Sequence, residues 1–201
     1  MKKLACLTTV LAAGLLCMAA PSEDKPAAKK KSAESGGAPP MAKPAPEMKE
    51  LRGLIGTWTT EEKFEPSPWM PSGGTATGVN TVRSGPGGFS VLMEQNSKSA
   101  MGSFRGHGVL TWDPNEKAYK TAWADSMMPG FIVETGHKEG DNIVMTGEMM
   151  MMGKKISFKD VISDRTPTSY TLTSFMNDGS GEKKSMSIKF TKQETAAAPK
   201  K

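Results

Sequence analysis

The chain predicts an all-β protein: a single antiparallel up-and-down β-barrel of about ten strands, with a short N-terminal helix plugging one end. Three observations point there. After Gly56 the apolar period drops from about 3.6 to 2 and stays there to residue 192. Turn signals recur at hairpin spacing, among them Asp113-Pro114-Asn115, Glu139-Gly140-Asp141 and Asp178-Gly179-Ser180-Gly181. No helical pattern interrupts the run, so consecutive strands pair with one another, and closing such a meander removes its exposed edges.

The ends of the chain belong to no fold. Residues 1–20 read as an export signal, with Lys2 and Lys3 as its charged start, Leu4 to Leu16 as its apolar run and Ala19-Ala20 as small residues for cleavage. That run is too short to span a membrane, and no later stretch approaches ~18 apolar residues, so no transmembrane segment is expected. The protein is expected to be exported, to the periplasm or the cell exterior. Leu16, not a small residue, precedes Cys17, so lipid anchoring at Cys17 is not expected. Cys6 and Cys17 both lie inside the signal, which leaves the mature chain without disulfides. Residues 21–46, rich in Pro, Ala and Lys, read as a disordered linker, and 193–201 as a disordered tail.

The folded domain is therefore 47–192. It carries 17 Lys+Arg and 17 Asp+Glu, so its net charge is 17 − 17 = 0, and the +5 of the whole chain sits on the flanks. Nucleic-acid binders carry their positive charge on the face that meets phosphate, so no nucleic-acid partner is expected.

Pro46 opens a short helix that sets Met48, Leu51, Leu54 and Ile55 at helical spacing, and Gly56 is expected to end it. Strands follow at about 57–65, 74–84, 88–97, 103–112, 117–126, 130–138, 142–150, 154–163, 168–177 and 183–192. In a meander, successive turns alternate between the two ends. The turns at 85–88, 113–116, 138–141 and 163–167 join the helix at one end. The turns at 65–73, 97–102, 126–130, 150–153 and 177–182 form the other. That second end gathers Trp69, Met70, Met101, Met127, Met128 and Met149 to Met152, with Met176 just inside. Methionine is flexible and polarizable, which suits an adaptable apolar rim.

Alternation turns Trp58, Thr60, Glu62 and Phe64 inward, and likewise Tyr119, Thr121, Trp123 and Asp125. Phe131, Val133, Thr135 and His137 are expected to face in. So are Ile156, Phe158, Asp160 and Ile162, then Tyr170, Leu172, Ser174 and Met176, then Met186, Ile188 and Phe190. Lys120, Lys138, Lys155, Lys159 and Lys189 take the outer face. Glu62, Asp125 and Asp160 are inward acids. Each needs a partner, water or a ligand.

Gly56-x-Trp58 at the first strand resembles the opening motif of the calycin superfamily, which includes lipocalins and nitrobindin-like barrels. Phe104-x-Gly106-x-Gly108, Trp112-Asp113, Lys117-x-Tyr119 and Trp123-x-Asp125-Ser126 together resemble the bacterial domain-of-unknown-function family 1579 (DUF1579), over about residues 44–192. The resemblance implies a lipocalin-like barrel and assigns no activity, catalytic residue or ligand residue.

The function expected is non-catalytic binding of a small hydrophobic molecule inside the barrel, through the Met-rich rim. Trp58, Trp112, Tyr119, Trp123, Trp69 and Met128 are the candidate cavity wall, with Glu62, Asp125 and Asp160 as its polar groups. The alternatives are a small enzyme using an interior carboxylate, a haem- or Cu(I)-binding barrel, and a protein-interaction module with a solid core. Haem would need an inward His, and only His107 and His137 exist. Cu(I) would need converging thioethers, yet alternation splits Met149 and Met151 from Met150 and Met152. No cofactor, metal ligand or catalytic residue is assigned. Gly-x-Ser-x-Gly is absent, and so are a phosphate loop and a zinc-type cluster. The sequence names neither the ligand nor the oligomeric state.

Overall fold

A computed structural model describes residues 42–68, 70–151 and 153–194. The expected signal, Cys17, most of the linker, nearly all of the tail, Trp69 and Met152 lie outside the described residues. Ten antiparallel strands form one closed ring. They are β1 (Gly56–Phe64), β2 (Gly74–Ser84), β3 (Ser90–Ser99), β4 (Gly102–Asp113), β5 (Ala118–Asp125), β6 (Ile132–Glu139), β7 (Asn142–Met151), β8 (Lys154–Ser163), β9 (Ser169–Asn177) and β10 (Lys183–Lys192). β10 closes on β1, from Lys192 opposite Trp58 to Met186 opposite Phe64. The barrel is the up-and-down meander that the hairpin spacing predicts. Closure leaves no unpaired edge.

The helix α1 (Met48–Arg52) lies at the end where chain entry, the 3-10 turn at Pro86–Gly88 and the β4–β5, β6–β7 and β8–β9 turns gather. It is shorter than expected. Arg52 is its last helical residue, and Gly53 still has right-handed backbone angles. Gly56 has a different task from ending the helix. Its φ of 151° opens β1, and a Cβ there would lie 2.8 Å from Lys192 Cε. Glu50 pins the helix to the barrel base through Lys138 Nζ at 2.9 Å and Arg165 Nη1 at 2.9 Å. Lys138 mainly, and Arg165 with it, hold the Glu50 carboxyl below its ordinary pKa.

Every strand but β6, which has Gly136 at this level, contributes an inward side chain to a solid floor above α1: Trp58, Val82, Val91, Leu110, Tyr119, Ile143, Ile162, Tyr170 and Phe190 are all buried. Trp58 is fully buried and donates from Nε1 to the Leu54 carbonyl at 2.8 Å, which ties the first strand to the plug. Its ring meets Tyr170 edge-on, with centroids 4.8 Å apart, and Tyr170 stacks on Phe190 at 4.1 Å.

One strand departs from the expected facing. In β6 the inward side chains are Ile132 and Glu134, beside Gly136. Phe131 is 71% exposed, Val133 is 56% exposed, and His137 is exposed as well. The cause is register. The turn at Gly140-Asp141 pairs Glu139 with Asn142, so Gly136 faces Met145 and Lys138 faces Ile143. Cross-strand partners share a face, and a slip of one residue reverses every side chain in a strand. Lys138 thus belongs to the inner row, where it reaches Glu50 at the base.

Candidate functional site

The lumen above the floor is where the candidate site lies. The first inward residue above the floor is polar on several strands: Thr60, Asn80, Thr121, Glu134 and Asp160. Glu62, Gln95 and Ser174 follow one step higher. Ile132, Trp123, Phe158 and Met186 share that height and line the mouth with apolar surface. Ring order sets β1–β3 on one wall and β6–β8 on the facing one.

On the first wall, Gln95 organises a buried cluster. Its Nε2 donates to Glu62 Oε1 at 2.8 Å, Thr60 Oγ1 at 3.0 Å and Ser97 Oγ at 3.3 Å. The Thr60 hydroxyl donates to the same Glu62 oxygen at 3.2 Å. On the second wall, the Glu134 carboxyl adjoins that of Asp160, which also faces the Ser174 hydroxyl. Two buried carboxyls in contact cannot both ionise, so they hold a proton between them. Burial, then the Asp160 charge and hydrogen bond, push Glu134 up to about 8. Burial raises Asp160 too, against the opposing pull of Ser174 and Glu134.

Three buried acceptors in these clusters carry no hydrogen bond: Asn80 Oδ1, Gln95 Oε1 and Glu134 Oε1. An unpaired buried polar group costs about 1–3 kcal/mol, so three in one lumen are a standing demand for donors.

Two aromatic side chains lie flat on glycines in this wall. A Cβ on Gly106 would fall 2.2 Å from Trp123 Cζ2, and one on Gly108 would fall 2.7 Å from Trp123 Cε3. The Phe104-x-Gly106-x-Gly108 spacing is therefore the seat of the Trp123 ring. Phe158 covers Gly147 in the same manner, with a Cβ–Cζ separation of 2.5 Å. We expect Gly106→Ala to displace Trp123, costing about 1–3 kcal/mol and shifting its emission. Unchanged stability and emission would refute this seat.

The sequence-predicted residues divide into three groups. Trp58, Tyr119 and Trp112 belong to the plugged end, where Trp112 meets Tyr119 edge-on at 4.9 Å and the Tyr119 hydroxyl donates to the Glu47 carbonyl at 3.4 Å. They floor the lumen and do not wall its mouth. Asp125 is committed locally: Oδ2 accepts from Trp123 Nε1 at 3.2 Å, and Oδ1 accepts from the Met127 and Met128 amides at 2.7 and 3.2 Å. It shapes the β5–β6 turn, where Met128 is half-buried. Glu62, Trp123 and Asp160 are the three that face the polar lumen. Trp69 lies outside the described residues. Reasoning from sequence missed Glu134, Gln95 and Asn80.

The haem and copper readings find no support in the placements. His107 and His137 are both exposed, contrary to the inward facing expected of His137. Met150 is 67% exposed on the outside while Met149 and Met151 face in, so the run is split by the wall. Among the described residues, no group of three or more His, Cys, Asp or Glu converges. No described helix is long and apolar enough to cross a membrane. Two shallow grooves, about 390 and 410 Å³, lie on the outer wall, one along β7–β9 and the other across β9, β10, β1 and β2.

The family described as "Protein of unknown function (DUF1579)" matches residues 43–192. Among solved structures, the S-type phycobiliprotein lyase CPES from Guillardia theta is similar, with a TM-score of 0.52, 11% identity, and coverage of 74% of this chain and 93% of that one. Rv2717c from M. tuberculosis is similar at a TM-score of 0.53 and 14% identity, covering 75% of this chain and 99% of that one. At such identities the likeness shows the barrel fold alone. No curated protein matches the chain.

Proposed function

The chain belongs to the DUF1579 family, and on that premise we propose that its barrel is a non-catalytic container that binds a small hydrophobic molecule in the mouth of the lumen. The carrying observation is the change in packing along the barrel. The floor is sealed by fully buried side chains, whereas Trp123, Ile132, Met149, Met176 and Met186 toward the mouth are only half-buried. Methionines can repack around a guest at low cost, so this half is adaptable where the floor is not. Export by residues 1–20 belongs to the same proposal, and cleavage after the Ala19-Ala20 pair in the protein recovered from its host would support it.

N-phenyl-1-naphthylamine, an uncharged apolar probe, tests the reading. Saturable binding with quenching of tryptophan emission is expected, and Trp123→Phe should remove most of that quenching. If the probe does not bind saturably, the container reading is wrong. A second reading has one observation in its favour. The Glu134–Asp160 pair holds a proton inside the lumen, as a general acid would. It predicts that a molecule retained by the wild-type protein differs chemically from the one retained by Glu134→Gln.

A further inference from the structure

We propose that the lumen selects an organic cation: a protonated amine or amidine carried on an apolar body. This rests on the container reading and adds the chemistry of the guest. Asn80, Gln95 and Glu134 are 6%, 5% and 7% exposed, and each turns an unbonded oxygen inward from β2, β3 or β6. The Gln95 amide cannot remedy this by turning over. Its Nε2 faces Glu62 Oε1 at 2.8 Å, and a flip would set oxygen against oxygen. What these three oxygens lack is a donor. An ammonium offers three and an amidinium several, and neither brings an acceptor of its own.

Charge decides between a cation and a neutral donor such as an alcohol. Glu62, Glu134 and Asp160 face inward, the last two with one proton between them, and none is in an ion pair among the described residues. The inward lysines are elsewhere. Lys138 and Lys192 sit at the plugged end, while Lys154 and Lys183, the latter opposite Met176, are exposed at the rim. A domain with no net charge thus keeps unpaired carboxyls inside it. The flat Trp123 ring adds a face on which a cation or its apolar body can rest. An anionic guest would be set against the Glu62 carboxyl and the unbonded oxygens of Asn80 and Gln95.

Three eight-carbon probes at pH 7 separate the possibilities: octylammonium, 1-octanol and octanoate, each displacing N-phenyl-1-naphthylamine. Octylammonium is expected to displace it at about one tenth the concentration that octanol requires, with octanoate weakest. Gln95→Leu and Glu62→Gln should each weaken octylammonium about fivefold or more and leave octanol within about twofold. Octanol matching or exceeding octylammonium in the wild-type protein overturns the proposal, and that comparison needs no variant to fold. So does a loss in both variants shared equally by the two probes. If the naphthylamine binds and none of the three displaces it, the cation proposal fails alone. If the naphthylamine does not bind, the container reading fails and takes this one with it.

Discussion

Trp58→Ala is expected to lower the unfolding free energy by about 3–5 kcal/mol, the range for deleting a large aromatic from a packed core. The residue is fully buried and touches two systems at once. Its ring holds Tyr170 edge-on, and Tyr170 in turn stacks on Phe190, so the cavity would open beneath a three-ring assembly. Its Nε1–H is the donor to the Leu54 carbonyl, and without it that buried carbonyl is left unpaired. The plug would loosen from the first strand while the sheet stayed closed. Urea unfolding followed by circular dichroism should show a lower midpoint with an unchanged slope, and a melting temperature lower by roughly 10 °C. A loss under about 1 kcal/mol would mean that the plug is held by other contacts. Trp112→Ala, at a half-buried position, should cost less.

The second large effect is on pH. Glu134 is pushed up to about 8 from an ordinary 4.5, chiefly by burial and next by Asp160. Between those two values the folded chain holds a proton that the unfolded chain has released. The contribution to stability is therefore complete below about pH 4.5, declines as pH rises, and is gone above about 8. Asp160, raised in the same direction, adds to the decline. Glu50 acts oppositely: its lowered pKa stabilises the fold above the unfolded value and fails only in acid. The wild-type barrel should thus be most stable near pH 5 and lose on the order of 3 kcal/mol by pH 8. Glu134→Gln should flatten that decline. A urea midpoint that is level or rising from pH 5 to pH 8 in the wild-type protein would show that the two carboxyls do not share a proton.

Much of the architecture is legible in the amino-acid sequence. Period-2 alternation and turn residues placed ten strands within a few residues of their observed bounds, because sheets with one buried face write their pattern directly into the chain. Trp58 and its glycine were legible for the same reason. The facing of β6 was not. Phe131 and Val133 look like core residues, and hydrophobicity alone turns them inward. The contrary signal was present in the two-residue turn at Gly140-Asp141. With Ile143 inward, that turn forces Lys138, Gly136 and Glu134 inward with it. Turn parity outranked side-chain polarity, and the acid that defines one wall was lost with that strand. Gln95 and Asn80 were missed differently. Nothing local marks an amide as buried, and only the closed ring brings it against Glu62. The Gly106 and Gly108 pair was visible as a motif, but its purpose needed the Trp123 ring in place.

Residues 42–47 and Lys192 to Glu194 both leave the barrel beside α1, on the side away from the mouth. A reporter, bead or affinity handle joined directly at residue 42 or residue 194 of the barrel domain would hang from the stoppered side. A domain immobilised through either of those two positions should accordingly keep its full capacity for guests, a practical advantage for screening compound libraries on a solid support.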